Sequence, residues 1–460
     1  MLPEKFLLRM KELLKDEYPA FLQAIEKKSV RAMRVNPVKA TSCCLEEAFS
    51  GSLTPVPYLD GAYVFDIEKI GNHPLHHAGA FYVQDPGAMA TLAAVSVEKG
   101  WLVADFCAAP GGKTSQLSAL VSEEGFVFAN EFDHGRCKVL LGNLERLGVS
   151  NVLLTNTDTE TLASWYHALF DLVLVDAPCS GEGMFRKYDY AQAEWSEEGV
   201  ISCARLQGEI LDNAARAVKS GGYLLYSTCT FSLEENEKNV DAFLVRHSEF
   251  SICEVSPKLL PYTAEGIAFE GCKNPEALKK TRRFYPHLAK GEGQYVALLR
   301  KNDKTDDAPS FGFKDASVSL NKAEAVLAKE FLNSILAEER VKELLGAYDL
   351  IKSKDSVFLK RKFPVPPRQV YMPGICLGTL QKGRLEPHHQ LFSALGGFFL
   401  RQENMSLKDP RVLKYLRGET FETALSGGYA AVLVEGCALG GIKVVNGVAK
   451  NHYPKGLRLH

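Results

Sequence analysis

The sequence of 460 residues contains no long apolar run, no signal-peptide core and no excess of charge of one sign. No segment approaches the ~18 consecutive apolar residues of a membrane-spanning helix. The opening stretch, MLPEKFLLRMKELLKDEYP, carries a charge every few positions, whereas a signal peptide has an uninterrupted apolar centre. We therefore expect a cytoplasmic protein that does not contact a membrane.

The balance of charges also limits how the chain could meet a nucleic acid. The 54 basic and 56 acidic residues leave a net charge of −2. The field of the whole molecule is thus not cationic, and contact with nucleic acid must come from a local basic patch. With 46% hydrophobic and 24% charged residues, the chain belongs to the soluble globular class, and its length predicts roughly two to four domains.

The eleven cysteines include no pair at C-x-x-C spacing, so the sequence offers neither a zinc site nor a redox dithiol. We expect reduced thiols and no bound metal. Most cysteines in such a chain are small buried hydrophobes. About one or two of the eleven should therefore be chemically active.

Residues 100–300 alternate short apolar runs with helical segments, which is typical of parallel strands joined by crossover helices. This pattern predicts a doubly wound α/β domain. Before it, an amphipathic helix within residues 4–26 and a Gly- and Pro-punctuated stretch to about residue 75 predict a small α+β module. After it, the polar segment KNDKTDDAPSFGFKDA (301–316) has the composition of a surface linker. The predicted strands of the α/β domain are 102–106, 126–130, 152–155, 172–176, 222–227 and 294–299, and its predicted helices lie near 114–121, 134–147, 198–218 and 233–246.

The segment DFCAAPGGKT (105–114) joins the first predicted strand of this domain to its first predicted helix. Its small residues let the backbone approach a ligand, and the following helix presents free N–H groups. The segment lacks both G-x-G-x-x-G and the Walker lysine spacing, which weakens a dinucleotide or phosphate-loop interpretation. We predict a ligand-binding loop whose ligand class the loop alone does not define.

Several acidic residues follow the predicted strands. Glu131 and Asp133 lie roughly 20 residues after the loop, where α/β nucleotide sites place an acid on ribose hydroxyls. Glu131 comes first and is preferred, while Asp133 is suited to cap the helix that begins at His134. Asp158 and Asp176 lie at C-terminal strand ends, where open α/β sheets bind ligands. A surface turn is the alternative for Asp158, whereas Asp176 ends an apolar strand and needs a partner or a purpose.

Two cysteines, Cys179 in DAPCSG and Cys229 in YSTCTFSLEEN, come just after the C-terminal ends of predicted core strands. Ser232 and Glu235 match the S-x-x-E capping box. We therefore predict a helix N-terminus shortly after Cys229, whose partial positive charge favours a thiolate. Cys229 is the better nucleophile position, and the cysteines other than these two are predicted to be structural.

Four segments together resemble the NOL1/NOP2/Sun family of RNA cytosine-5 methyltransferases, and within it the branch that acts on bacterial small-subunit ribosomal RNA. They are DFCAAPGGKTSQLS (105–118), VDAPCSGEGMFRK (175–187), YSTCTFSLEENE (226–237) and RRFYPHLAKGEGQYVALL (282–299), in the family's order. Four motifs in one order are not expected by chance. The resemblance covers nearly the whole chain.

The resemblance implies an S-adenosyl-L-methionine cofactor and a Rossmann-like class I methyltransferase fold. It implies Cys229 as the nucleophile, Cys179 as the cysteine that assists product release, and 16S ribosomal RNA, free or in the small ribosomal subunit, as the partner. Asp176 is the candidate catalytic acid. The family often has Asp at the position of Glu131, so the choice between Glu131 and Asp133 for the ribose stays open. The implied cofactor-binding residues are Cys107, Ala108, Ala109, Pro110, Gly111, Gly112, Lys113, Glu131, Asp158 and Asp176.

The C-terminus resembles the PUA-like RNA-binding domain of that branch through KVVNGVAKNHYPKGLR (443–458). Its basic residues, with no acid among them, suit a phosphate-facing strip: Lys443, Lys450, Lys455 and Arg458. We expect a monomer. The predicted organisation is an N-terminal auxiliary RNA-binding module (1–75), the methyltransferase domain (76–300), the linker (301–316), a small α/β module (317–385) and the PUA-like domain (386–460).

Two other functions fit parts of the sequence. A DNA cytosine-5 methyltransferase also carries a Pro-Cys dipeptide but uses that cysteine as its nucleophile, and the Thr-Cys motif argues against it. A ribosome-assembly RNA-binding protein with a vestigial methyltransferase site would be expected to lack an acid or the nucleophile. Neither is missing from this sequence.

Overall fold

A computed structural model describes residues 2–303, 308–381 and 383–459. Its N-terminal part places two helices before a small antiparallel sheet of order β2–β3–β1–β4. The elements are α1 (Glu4–Leu14), α2 (Tyr18–Ile25), β1 (Ala32–Val35), α3 (Ser42–Ala48), β2 (Leu53–Pro55), β3 (Ala62–Phe65), α4 (Pro74–His77), β4 (Phe81–Val83) and α5 (Pro86–Ala90). Because β4 pairs with β1, this unit continues past the predicted boundary at residue 75.

The central part is a ten-stranded sheet flanked by helices, as the α/β pattern predicts. The elements are β5 (Leu102–Asp105), α6 (Gly112–Val121), β6 (Phe126–Asn130), α7 (His134–Leu147), β7 (Val152–Thr155), α8 (Thr159–Trp165), β8 (Tyr166–His167), β9 (Phe170–Asp176), α9 (Asp189–Glu194), α10 (Glu197–Ala217), β10 (Val218–Thr228), α11 (Glu237–Arg246), β11 (Phe250–Ile252), β12 (Ala264–Glu265), α12 (Pro275–Leu278), β13 (Arg282–Phe284), β14 (Gln294–Lys301) and β15 (Ser310–Phe311). Only β8 and β15 among these strands form a separate two-stranded pair.

The strand order of the central sheet brings the functional strand ends together. The order is β12–β13–β14–β10–β9–β5–β6–β7–β19, where β19 is Val370–Met372, and β11 pairs with β14. Strands β10, β9, β5, β6 and β7 run parallel, and β14 is antiparallel to β10. Their apolar runs are buried on both faces, as in other parallel sheets covered by helices. The C-terminal ends of the five parallel strands therefore share one edge.

The predicted surface linker 301–316 is partly folded onto the central part. Its strand β15 pairs with β8, and the rings of Phe311 and Phe313 lie 6.0 and 5.7 Å from that of Tyr166. These two aromatic residues supply an apolar anchor that a free linker would lack. Residues 304–307 of this segment lie outside the described residues.

The C-terminal third forms two five-stranded sheets, β16–β17–β18–β20–β21 and β22–β24–β25–β26–β23, while β19 joins the central sheet beside β7. In the described ranges, no helix combines the length and the apolar character needed to span a membrane. The elements are β16 (Val318–Ser319), α13 (Lys322–Ile335), α14 (Glu338–Ala347), β17 (Tyr348–Ser353), β18 (Ser356–Arg361), β19, β20 (Ile375–Gln381), β21 (Arg384–Pro387), α15 (His389–Leu395), β22 (Gln402–Met405), α16 (Pro410–Leu416), β23 (Phe421–Glu422), β24 (Gly428–Val434), β25 (Cys437–Val445) and β26 (Val448–Asn451).

Candidate active site

A cavity of about 230 Å³ lies at the shared edge of the parallel strands. Its walls come from β4, from the loop between β5 and α6, and from the ends of β9 and β10. Of the predicted cofactor-binding residues, the walls include Cys107, Ala108, Ala109, Pro110, Gly112, Lys113 and Asp176. Cys229 and Asp105 also line the cavity, together with six residues for which the sequence predicted no role: Tyr82, Val83, Gln84, Ala88, Met184 and Gln294.

The loop between β5 and α6 depends on its two glycines. Gly111 has φ of 109°, a left-handed conformation that side chains rarely adopt. A Cβ atom on Gly112 would lie 2.9 Å from side-chain atoms of both Gln84 and Tyr82. The hydroxyl of Thr114 donates to the Asp105 carboxylate at 2.7 Å and ties the start of α6 to the end of β5. The glycines thus allow the tight turn that forms one wall of the cavity.

The cavity walls contain polar atoms that suit an S-adenosyl-L-methionine molecule. Oδ1 of Asp105 and Oε1 of Gln84 are buried and have no hydrogen-bond partner among the described residues. Burial raises the pKa of Asp105 to about 7. Unpartnered acceptors of this kind are stabilised by a ligand that brings donors, such as an ammonium or ribose hydroxyls. The residues present therefore fit the cofactor that the resemblance implies.

Asp176 has the partner that a half-buried acid at a strand end requires. Its Oδ2 accepts from Lys113 Nζ at 2.7 Å, and its Oδ1 accepts from Ser227 Oγ at 2.6 Å and from Gln294 Nε2 at 3.5 Å. The Lys113 side chain is 9% exposed. The pair therefore places one positive and one negative group on the cavity wall within a few ångströms of each other.

The two strand-end cysteines are in direct contact. Sγ of Cys179 lies 2.9 Å from Sγ of Cys229, and the Cys229 N–H donates to Cys179 Sγ at 3.4 Å. The hydrogen bond to Cys229, together with burial, raises the pKa of Cys179 well above the usual range of a thiol. Cys179 therefore keeps its proton and can donate it to a hydrogen bond with Cys229. Only Cys229 of the two is part of the cavity wall.

The predicted capping box after Cys229 is wrong in its main feature. Helix α11 begins at Glu237, eight residues beyond Cys229, and its N-cap residue is Asn236. Ser232 Oγ does accept from the Glu235 N–H at 3.4 Å, but the Glu235 carboxylate reaches Ser180 instead of the Ser232 backbone. Since the dipole effect fades within the first turn, α11 begins too far along the chain to supply the positive charge expected to favour a thiolate at Cys229.

The acids near the second and third parallel strands have distinct local roles. Asp133 Oδ1 accepts from the Arg136 N–H at 2.7 Å and caps α7. Glu131 is buried, and its two oxygens accept from the N–H groups of Ala109 at 3.2 Å and Asp133 at 3.0 Å. Asp158 caps α8 through the Thr161 N–H at 2.7 Å. Glu131 and Asp158 lie outside the cavity wall, and their cofactor-binding roles stay predictions.

The basic strip at the C-terminus is only partly free. Lys443 on β25 lies opposite Lys450 on β26, and its Nζ is 5.1 Å from the ring centroid of Tyr429. Lys450 and Lys455 are exposed. The Arg458 guanidinium instead donates to the Tyr453 carbonyl at 3.2 and 3.3 Å. The three lysines of the strip are therefore more available for a phosphate contact than Arg458 is.

Comparison with known proteins identifies the family. The family model described as 16S rRNA methyltransferase RsmB/F matches residues 90–300. The models of the N-terminal domain of 16S rRNA methyltransferase RsmF and of the RsmF PUA domain match residues 2–86 and 402–459. Ribosomal RNA small subunit methyltransferase F of Klebsiella pneumoniae is 30% identical over 99% of this chain and 96% of that protein. The chain belongs to the RsmF family.

Two further comparisons agree with the RsmF assignment. The enzyme of the same name from Citrobacter koseri is 34% identical over 68% of this chain, and the aligned part spans 66% of that protein. A methyltransferase homologue from Pyrococcus horikoshii has a solved structure that matches with a TM-score of 0.56 and 28% identity, covering 65% of this chain and 95% of that chain. RsmF membership confirms the predicted resemblance, the class I methyltransferase fold, the PUA domain and the S-adenosyl-L-methionine cofactor.

Proposed function

We propose that the chain methylates carbon 5 of a cytosine in 16S ribosomal RNA, with Cys229 as the nucleophile and Cys179 as the thiol that assists product release. The observation that carries the proposal is the contact between the two cysteines at the cavity edge, with Cys229 forming part of the cavity wall and Cys179 behind it. Membership of a family named for small-subunit ribosomal RNA methyltransferases supports the substrate.

Carbon 5 of cytosine is a weak nucleophile and needs activation. The Cys229 thiolate forms a bond to carbon 6, which converts the ring to an enamine whose carbon 5 can accept a methyl group. The chemistry supplied by bound S-adenosyl-L-methionine is the electrophilic methyl. A base then removes the proton from carbon 5, the carbon 6–sulfur bond breaks, and Cys229 leaves with the electron pair of that bond.

The cavity residues are suited to these steps. Asp176, held by Lys113 and Ser227, lies on the wall with Cys229, where its carboxyl group in the protonated form can donate its proton to N3 of the cytosine as negative charge develops on the ring. The protonated Cys179 thiol, in contact with Cys229, can stabilise the sulfur as it leaves. The cytosine must leave its stack to reach this cavity, which favours single-stranded or loop RNA.

Trapping on RNA that contains 5-fluorocytidine tests the proposal, because fluorine at carbon 5 prevents release of the covalent adduct. We expect the wild-type chain and Cys179→Ala to form the adduct and Cys229→Ala to form none. Adduct that persists in Cys229→Ala and is lost in Cys179→Ala would reverse the two roles. The same transcript prepared as DNA, with 5-fluorodeoxycytidine, is the control for the DNA alternative and should not be trapped.

A further inference from the structure

Two buried glutamates lie behind the cysteine pair, one in each of the chain segments that follow β9 and β10. Glu182 lies three residues after Cys179, and Glu235 lies six residues after Cys229. Their relative exposures are 2% and 0%. Buried carboxyl groups are costly unless they are well hydrogen-bonded, so their partners indicate what they do.

Each glutamate binds the segment of the other cysteine. Glu235 accepts hydrogen bonds from the N–H of Ser180 at 2.9 Å and from its hydroxyl at 2.5 Å, and Ser180 directly follows Cys179. Glu182 accepts from the Thr230 hydroxyl at 2.9 Å and from the Phe231 N–H at 3.0 Å, and Thr230 directly follows Cys229. The two interactions therefore cross between the segments.

Each glutamate also has an anchor outside the two segments. Gln207 of α10 donates to the Glu235 carboxylate at 2.8 Å, and it donates to the Pro178 carbonyl at the same distance. Trp195 donates its indole N–H to Glu182 at 3.1 Å. Hydrogen bonds to Gln207 and Trp195 thus hold the two glutamates from outside the segments that carry the cysteines.

The hydroxyls of Ser180 and Thr230 connect the two glutamates, since their oxygens lie 2.9 Å apart. Glu235, Ser180, Thr230 and Glu182 form a row of oxygens with three close links but only two hydroxyl hydrogens. Three hydrogen bonds need three hydrogens, so the row is complete only when one carboxyl group is protonated. Burial raises the pKa of Glu182, and it raises that of Glu235 to about 7.

We propose that Glu235 and Glu182 are positioning residues that form a crossed clamp, in which each carboxyl group holds the segment of the opposite cysteine and sets how the two thiols meet. The inference rests on the proposed function, since it concerns steps of that reaction. Glu235 holds Ser180 and through it Cys179, so it acts on product release. Glu182 holds Thr230 and through it Cys229, so it acts on adduct formation.

The two steps can be measured separately on a 16S ribosomal RNA transcript. Adduct formation is followed on transcript that contains 5-fluorocytidine. Release is followed as the fraction of enzyme held covalently at steady state on the same transcript with ordinary cytidine. Cys179→Ala defines slow release, and Cys229→Ala defines absent formation.

The clamp predicts opposite defects in the two glutamate variants. Glu235→Ala should form the adduct within about twofold of the wild-type rate but hold at least about tenfold more enzyme covalently on ordinary RNA. Glu182→Ala should form the adduct at least about tenfold more slowly and accumulate none. Displacements of about 1 Å near a reacting centre cause losses of this size or larger.

Glu235→Gln separates a clamp from a general structural role. Its amide can donate to Ser180, which lets the Ser180 hydroxyl donate to Thr230 and the Thr230 hydroxyl donate to Glu182, so all three links have a hydrogen. This variant should release product at the rate that the wild type shows at pH 6, where the row has its third hydrogen, and this rate should not change between pH 6 and 8. Glu209→Gln is the matched control, because it makes the same change at an exposed glutamate of α10.

A pH profile must be interpreted with the neighbouring charges. Arg9 on α1 faces Glu182, whereas Cys179, Cys203 on α10 and Tyr226 on β10 face Glu235, and the two glutamates also face each other. Of these, Tyr226 stays neutral through neutral pH, because burial raises its pKa well above the usual range.

The crossed pattern decides the outcome. If both alanine variants slow adduct formation alone, or if Glu235→Gln is as impaired as Glu235→Ala, the clamp is wrong although the proposed function stands. If an alanine variant loses its thermal unfolding transition, Glu182→Asp and Glu235→Asp are tested instead. The substitution at Glu182 must then slow adduct formation, and the substitution at Glu235 must slow release. A wild-type chain that forms no adduct overturns the proposed function and the clamp with it.

Discussion

Asp105 is a carboxyl group whose charge state should depend on the ligand. It is 1% exposed, burial raises its pKa to about 7, and its Oδ1 has no partner in the described ranges. A cationic group brought by a ligand favours the ionised form. We expect S-adenosylhomocysteine, which carries an ammonium, to bind about tenfold more tightly at pH 8 than at pH 6, because the carboxylate is mostly ionised only above pH 7.

Asp105→Asn tests this expectation by calorimetry. The neutral amide should weaken binding at pH 8 by about tenfold and remove the pH dependence, because no proton is then exchanged at this position. Cys179→Ala, which leaves the cavity wall unchanged, should keep the wild-type profile. A wild-type affinity that is constant from pH 6 to pH 8 would contradict the role of Asp105.

Individual site residues could be predicted because ligands of open α/β sheets bind at the C-terminal ends of the strands. Asp176 and Cys229 follow from this rule and line the cavity. Asp105 also ends a parallel strand and lines the cavity, although it was predicted only as the first residue of the loop. Gln84 directly follows β4 of the N-terminal unit, and no local sequence pattern shows that this unit meets the loop between β5 and α6. The Ser232–Glu235 pattern misled because the Glu235 side chain is bound by Ser180, far away in sequence.

The start of helix α7 distinguishes Glu131, which the sequence favours for the ribose, from Asp133, for which the choice stayed open. Asp133 supplies the N-cap of the helix. Glu131 is buried beneath the loop between β5 and α6 and accepts a hydrogen bond from the Ala109 N–H. We expect Asp133→Ala to lower the free energy of unfolding by about 1 kcal/mol, the usual cost of a lost cap, without a change in cofactor affinity. Urea denaturation and calorimetry with S-adenosylhomocysteine measure the two quantities.

Glu131→Ala should change cofactor affinity, because it removes the acceptor for the Ala109 N–H and with it the support of the loop between β5 and α6. We expect at least about tenfold weaker binding of S-adenosylhomocysteine. Weaker binding in Asp133→Ala with unchanged binding in Glu131→Ala would exchange the two roles.

Elements were predictable where their signal is local. The predicted helix 134–147 matches α7, and predicted strands 126–130 and 152–155 match β6 and β7, because buried parallel strands give continuous apolar runs bounded by caps and turns. Strands β15 and β19 were missed. Each is two or three residues long and is stabilised by pairing with a distant strand, β8 or β7, which no local pattern can report.

The C-terminal lysines are expected to extend RNA contact beyond the cavity. Lys450 is exposed on β26 opposite Lys443 and carries no ion pair among the described residues. We expect Lys450→Ala to weaken binding of a 16S ribosomal RNA transcript and of an RNA of unrelated sequence alike. The slope of the logarithm of the affinity against the logarithm of the salt concentration should fall by about one, the loss of one phosphate contact. Filter binding from 50 to 200 mM salt measures both. Arg458→Ala should lower stability, since its guanidinium holds the Tyr453 carbonyl.

Lys39 connects the three parts of the whole molecule through one ammonium group. Its Nζ lies within hydrogen-bond distance of four acceptors, one more than its three N–H bonds can serve singly: the Ala78 carbonyl at 2.8 Å, the Arg146 carbonyl at 3.0 Å, the Ser393 hydroxyl at 2.9 Å and the Ala438 carbonyl at 2.9 Å. These acceptors belong to the N-terminal unit, to α7 of the central part, and to α15 and β25 of the C-terminal part. Burial lowers the pKa of Lys39 to about 7, and removing its amino group leaves several part-buried acceptors at the junction without this donor.

We therefore expect Lys39→Met, which keeps the length of the side chain, to destabilise the junction by about 3 kcal/mol, the usual cost of unpaired buried polar groups. The effect should appear in urea denaturation as an earlier first transition, because the contacts between the parts are lost before their individual cores. Lys99→Met replaces an exposed lysine and should stay within about 0.5 kcal/mol of the wild type. A Lys39→Met midpoint equal to that of Lys99→Met would show that apolar packing alone holds the parts together.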